Sequence, residues 1–281
     1  MTVADPGSLE RLAEKARQVR VETLKMTYAA GSGHPGGSFS MAEALVTLYH
    51  KVLDVAPDRL DDPDRDVFIL SKGHCAPGLY AVLGDLGYFP RDEFPRLRRL
   101  GGLLQGHADR KVPGIEMSTG SLGMGLGYGN GVALTKRLDG RRGRVWVLMG
   151  DGELQEGNVW ESAMTSAHRR LDNLVLLIDH NRIQIDGFVE DVKGIEPVAD
   201  KMRAFGFHVV AVDGHDIPAL LSTFEAAKRV EGKPVCILLA TVKGKGVSFM
   251  EDNAGFHGRS LKPDEMAQAM AELGADWSVT A

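Results

Sequence analysis

Two short segments carry residues suited to holding a phosphate through a metal ion. Gly150-Asp151-Gly152 directly follows the apolar run Val145–Met149, and a helical pattern begins at about Asn158. A strand, a tight turn and a helix in that order place free backbone N–H groups at the carboxyl end of a strand, where an open α/β sheet binds its ligands and where phosphate is favoured. Gly152 lets the backbone come close. An aspartate aimed at a phosphate repels it unless a hard cation lies between them, and Mg²⁺ or Ca²⁺ takes carboxylate and phosphate oxygens together. Thirty residues after Asp151, the run Leu174–Asp179 leads into His180-Asn181-Arg182-Ile183, which offers an amide oxygen and backbone carbonyls at the same edge. Asp-Gly is often only a turn, but a hairpin turn needs a strand on both sides, and here a helix follows.

Four histidines lie in glycine-rich loops: His34 in GSGHPG, His74 in SKGHCAPG, His107 in GLLQGHADR and His257 in AGFHG. A neutral imidazole both donates and accepts, so it can read hydroxyls and move a proton near pH 7. One such histidine alone is more often a surface residue; four in loops that converge on one sheet edge are a different matter. Gly31–Gly36 fits GxGxxG, yet a dinucleotide fingerprint needs a preceding strand and a helix opening within it, whereas here a helix precedes and Pro35 interrupts. GKG at 244–246 lacks the frame of a phosphate-binding P-loop. His215 is read as structural, with Asp216 as a helix cap, and His50, His168, His180 and His208 carry no role.

These residues need a scaffold. Short apolar runs at Asp66–Leu70, Val145–Met149, Leu174–Ile178, His208–Val212 and Val235–Leu239 lack polar alternation, as expected of strands covered on both faces. Helical spacing marks 8–30 (with Ser8 as cap), Met41–Leu53, Asn158–Leu171, Ile217–Val230 and the tail from Pro263. The alternation predicts an α/β fold, a parallel sheet with helices on both faces. No linker or repeat divides the chain, so one domain is expected over 1–281: a helical lead to about 65, an α/β core over about 66–262 and a short helix over about 263–275. The run Ser121–Gly131, with glycine at every second position from Gly123, reads as a flexible loop or as a tightly packed helix. The 281 residues are 43% hydrophobic and 25% charged, with 33 basic against 38 acidic side chains and a net charge of −5. That balance excludes a large nucleic-acid footprint and a polybasic membrane surface. No apolar run approaches the ~18 residues of a membrane span, and MTVADPGS lacks a signal-peptide pattern, so a cytoplasmic location is expected. Cys75 and Cys236 make neither a disulfide framework nor a metal cluster.

The stretch GDGELQEGNVWESAMTSAHRRLDNLVLLIDHNRIQIDG closely resembles the thiamin diphosphate motif of the transketolase family, in the wording of the N-terminal, diphosphate-binding subunit of split two-chain transketolases. The resemblance runs from the first helix to about His257. It implies a thiamin diphosphate-binding fold in which Asp151, Asn181 and the Ile183 carbonyl hold Mg²⁺ (or Ca²⁺) and Gly150 and Gly152 present backbone to the diphosphate. It further implies Gly120 and Leu122 at the aminopyrimidine, Ile185 beneath the cofactor, and Glu156 in a network linking two active sites. His74 would lie near diphosphate and substrate, His107 near the donor's C1 hydroxyl, and His34 with His257 near the hydroxyl whose proton leaves as C2–C3 breaks. The glycine-rich run becomes a helix packed on a partner subunit.

The glutamate that activates thiamin sits, in this family, in a separate pyrimidine-binding domain, and no second α/β domain follows here. The resemblance therefore implies a second polypeptide, a heterotetramer of two chains each, and transfer of a two-carbon glycolaldehyde unit from a ketose or its phosphate to an aldose or its phosphate. Ala108-Asp109 after His107, where many relatives place Pro, and Cys75 after His74 depart from the usual pattern and leave the substrate open. The alternatives are a 1-deoxyxylulose-phosphate synthase or 2-oxoacid dehydrogenase type enzyme, and a noncatalytic thiamin-binding subunit; His34-Pro35 speaks for the transketolase side.

Overall fold

The computed structural model describes residues 6–277, so residues 1–5 (most of MTVADPGS) and 278–281, the ends of the expected domain, lie outside the described residues. Helix α1 (Pro6–Ala30) buries Leu12, Ala16, Val19 and Leu24 and stops at Gly31, whose φ of +66° suits a residue without Cβ. Ser8 is not its cap, because the helix already starts at Pro6. A short helix α2 (Pro35–Ser40), not expected, comes next, and across a break at Met41 the helix expected over Met41–Leu53 is α3 (Ala42–Thr47) running into a π-helical turn (Leu48–Val52). Every residue of α2 and α3 is buried, so enclosure holds these short pieces and no amphipathic stripe marks their ends. Pro35 opens α2 rather than interrupting a helix, since the first helical position needs no N–H; the dinucleotide fingerprint still fails, because α1 and no strand precedes it.

From there strands and helices alternate: β1 (Val67–Leu70), α4 (Ala76–Asp85), α5 (Met124–Leu138), β2 (Val145–Gly150), α6 (Gly157–His168), β3 (Leu174–His180), α7 (Val189–Lys193) and α8 (Val198–Phe205). β4 (His208–Asp213), α9 (Ile217–Ala227, capped by the Asp216 side chain on the Ala219 amide), β5 (Val235–Ala240) and α10 (Pro263–Glu272) complete it. The five strands are all parallel, in the order β1-β2-β3-β5-β4. Alternate strand residues feed two cores. Phe68, Trp146, Leu177 and Leu239 meet α3, α4 and α9, whereas Val147, Met149, Leu176 and Ile178 meet α5, α6 and α8. Four of the strand runs are buried as expected. β4 is not: His208, Ala211 and Asp213 are exposed on this edge strand, whereas the opposite edge strand β1 is buried throughout.

The glycine-rich run is a helix, not a loop. A Cβ on Gly125 would stand 2.3 Å from Ser71 Oγ, and one on Gly129 2.7 Å from Val147 Cγ2, so the missing side chains let α5 close onto its own sheet. A Cβ on Gly131 would meet nothing within 4 Å, and Met124 and Tyr128 stand exposed. In register, Gly150 pairs Asp179 and Asp179 pairs Leu239, which levels the carboxyl ends of β2, β3 and β5.

Candidate active site

At that edge the turn after β2 and the turn after β3 are tied together. The Asp151 carboxylate accepts hydrogen bonds from the amides of Gly152 (2.8 Å) and Arg182 (2.5 Å) and is almost wholly buried. Burial, with the Asp179 charge nearby, pushes its carboxyl above the ordinary range. Asn181 Nδ2 donates to Asp179 Oδ2 (2.7 Å), leaving Oδ1 to accept from the Ile183 amide (3.1 Å). The Ile183 carbonyl accepts from Lys243 Nζ at 2.7 Å. Asp151, Asn181 and the Ile183 carbonyl therefore come together, though among the described residues no three His, Cys, Asp or Glu side chains cluster as a metal site. The expected set contains one such side chain; its other donors are an amide and a carbonyl.

Above these turns three imidazoles from three separate segments pack around that of His34. Its ring centroid lies 5.1 Å from that of His74, 6.0 Å from His107 and 5.5 Å from His257, and His74 stacks on His257 at 5.3 Å. His34 immediately precedes α2, His74 sits in the 3₁₀ turn before α4, His107 in the α4–α5 connection and His257 in the β5–α10 connection. Burial first, then the neighbouring cations and rings, lowers all four pKa values: to about 4 for His34, to about 3 for His257, and downward for His74 and His107. The cluster is neutral at pH 7. It has no room to spare, since a Cβ on Gly258 would stand 3.1 Å from the His34 ring and one on Gly120 3.1 Å from that of His107.

Turns and histidines line one cavity of about 310 Å³, which also takes in Gly120, Leu122, Gly150, Gly152, Glu156 and Ile185. Every residue to which the resemblance gives a role borders it. Ile185 is exposed there, and Glu156 directly precedes α6. The remaining histidines stay apart. His215 donates from Nδ1 to Glu43 (3.0 Å) and accepts the Val242 amide on Nε2 (2.9 Å), a structural role as expected, and His180 pairs Glu196.

A single observation decides the family. The family model "Transketolase, thiamine diphosphate binding domain" matches residues 11–280. The chain belongs to the transketolase family. A 6-deoxy-6-sulfo-D-fructose transketolase subunit of Clostridium sp. (strain MSTE9) is 43% identical over 93% of this chain and 96% of its own. One of the subunits of an apulose-4-phosphate transketolase of Actinobacillus succinogenes is 39% identical over 95% of this chain and 97% of its own. Against human transketolase the identity is 37% over 96% of this chain, which spans 43% of the human one. The solved transketolase of Leishmania mexicana superposes with a TM-score of 0.89 at 31% identity, over 94% of this chain and 41% of that one.

This transketolase-family site contains four residues that sequence reasoning missed. Lys72 and Asp179 form a fully buried ion pair, Lys72 also donating to the Gly37 carbonyl, and Asp179 accepts from Ser40 and Thr241 as well as from Asn181. Burial alone would raise Asp179; the Lys72 ammonium overrides this and holds it below its usual range. Glu153, also buried, accepts from the amides of Gly123 and Gly150 and from the Ser71 hydroxyl, joining α5 to the turn after β2. Lys243 is buried without a carboxylate partner at hydrogen-bond distance, and burial lowers its pKa to about 8. The available signal was position: each ends or follows a strand run, Lys243 directly before GKG.

Proposed function

We propose that this chain is the diphosphate-binding subunit of a two-chain transketolase. With a partner carrying the pyrimidine-binding domain, it transfers a two-carbon glycolaldehyde unit from a ketose or ketose phosphate to an aldose or aldose phosphate. The observation that carries this reading is the convergence of four neutral imidazoles above the Asp151–Asn181 turn in one cavity. Phosphate chemistry alone needs no such group of hydrogen-bonding rings, whereas a polyhydroxy substrate does. The residues present fit thiamin diphosphate with Mg²⁺ or Ca²⁺. Asp151, its carboxyl raised by burial and the nearby Asp179 charge, is a carboxylate that a divalent cation would relieve, and Lys243, without a carboxylate partner among the described residues, is an ammonium that a diphosphate would complement.

In this reading Asp151, Asn181 and the Ile183 carbonyl hold the metal, while the backbone at Gly150 and Gly152, with His74, faces the diphosphate. Gly120 and Leu122 border the aminopyrimidine, Ile185 supports the cofactor, and Glu156 joins the network between sites. Thiamin diphosphate, when bound, supplies the sink for the electron pair of the broken C–C bond. This chain's own part is to bind and orient the sugar: His107 holds the C1 hydroxyl, and His34 and His257 attend the hydroxyl that loses its proton. The exposed Met124, Tyr128 and Met164 on α5 and α6 offer an apolar face for the partner. Two relatives of nearly the same length carry "subunit" in their names, which supports the division into two chains.

The test is copurification of the chain from its own cells with Mg²⁺ and thiamin diphosphate, followed by donor assays. A stoichiometric second chain and ketose cleavage without CO₂ are expected. CO₂ release from pyruvate would point to the synthase or dehydrogenase type instead. Cofactor binding without turnover of any donor by the isolated complex would leave the noncatalytic reading.

A further inference from the structure

Lys243 reaches into the cavity from the connection after β5 and touches two groups: Nζ lies 2.7 Å from the Ile183 carbonyl and 2.7 Å from His257 Nδ1. A lysine ammonium has three donors and no acceptor, so it donates to both. A neutral imidazole that accepts on Nδ1 carries its proton on Nε2. The His257 ring, wedged between His34 and His74, thus offers the cavity an N–H and no lone pair. His34 is under no such constraint. Its Nδ1 is buried without a hydrogen-bond partner, so nothing binds the ring to one tautomer, and a free lone pair on Nε2 remains open to it.

We propose that Lys243 is a positioning residue that holds His257 in its Nε2–H tautomer, so that His257 serves as a hydrogen-bond donor and the hydroxyl proton passes to His34. The inference rests on the transketolase reading above for its chemistry, and on the Lys243–His257 contact for its geometry. As the C–C bond breaks, the sugar's O–H bond breaks with it: the proton goes to His34 and the O–H electron pair becomes the second bond of the product carbonyl. The C–C pair goes to the sink named above. His257 donates to the substrate oxygen throughout and takes no proton, because its only cavity-facing nitrogen already holds one.

The first test needs no activity. In the full chain labelled with ¹⁵N-histidine at pH 7, the ring-nitrogen resonances of His257, assigned by their loss in His257→Gln, are expected to report the Nε2–H form, and Lys243→Met to populate both tautomers. An Nδ1–H ring in the unaltered chain, or a tautomer indifferent to Lys243→Met, overturns the assignment; the first result stands even if Lys243→Met fails to fold. The second test uses the complex reconstituted with its partner. His34→Gln, which loses a proton acceptor, is expected to lower kcat about 100-fold or more, within the usual range for a lost general base. His257→Gln keeps an N–H donor and is expected to raise KM while lowering kcat by less than about 10-fold; the reverse ranking overturns the division of labour. Absence of ketose cleavage by the unaltered complex would overturn the transketolase reading, with it the proton route, and leave the tautomer arm to decide Lys243's role.

Discussion

The Lys72–Asp179 pair shows how much of this site is electrostatic scaffolding. Both side chains are essentially inaccessible, and the carboxylate collects donors from Ser40, Thr241 and Asn181 in addition to the ammonium. Removing one partner of a buried pair strands the other, at a cost of ~3–5 kcal/mol. Asp179→Ala is therefore expected to lower the urea midpoint sharply and to weaken divalent-cation binding, because Asn181 loses the acceptor that orients its amide. A variant as stable as the parent would show that water replaces the carboxylate. Asp151→Asn is the complementary change. It keeps one of the two oxygens, so only one of the Gly152 and Arg182 amides retains its acceptor, and it removes a carboxyl that burial already disfavours in its charged form; a modest loss of stability is expected, with Mg²⁺-dependent cofactor binding, followed by calorimetry, lost. Retention of that binding would remove Asp151 from the metal set. Asp151 and Asn181 were legible in the sequence from the turns they occupy after strand runs; Lys72 and Asp179 hold comparable positions, but their pairing was not legible, because partners 107 residues apart leave no local pattern.

Among the secondary-structure elements, α5 poses the sharpest contrast. Its glycines alternate in sequence but differ in what they face, and the sequence left loop and helix open because composition alone does not say which glycines are crowded. Gly125→Ala would drive a methyl group into the Ser71 backbone and side chain, whose hydroxyl bonds Glu153 and accepts from the Gly125 amide. Overpacking of this kind costs about 1–3 kcal/mol, and the displaced turn should also weaken cofactor binding. Gly131→Ala has free space and gains helix propensity, so thermal unfolding of the isolated chain should shift upward by the equivalent of ~0.5–1 kcal/mol. Equal effects of the two substitutions would contradict the packing described.

For the molecule in its entirety, the histidine cluster sets an acid limit. Unfolded histidines take up protons near pH 6.5, whereas the folded His34 and His257 do so only at about 4 and about 3. Between those values the unfolded state binds more protons, so stability rises with pH and is lost as pH falls from about 6.5 toward 4. Asp151, Glu153 and Asp66, whose carboxyls burial raises, work in the opposite sense, against the four rings and the likewise lowered His50. Scanning calorimetry of the chain without cofactor should therefore show the unfolding midpoint falling over that window; a flat or rising midpoint would mean that the rings are solvated. Alternating runs, tight Gly-bearing turns and histidine loops are local signals, and they suffice for the parallel α/β class, the two turns at the carboxyl ends of β2 and β3 and the four imidazoles. Which of these meet depends on the assembled sheet. The strand order places β5 beside β3 instead of beyond β4, and that adjacency carries Lys243 across 60 residues to the Ile183 carbonyl, while the β5–α10 connection folds His257 back onto that lysine. Short-range propensity cannot encode such a contact, since strand order is settled by which apolar faces bury one another once the whole sheet has formed.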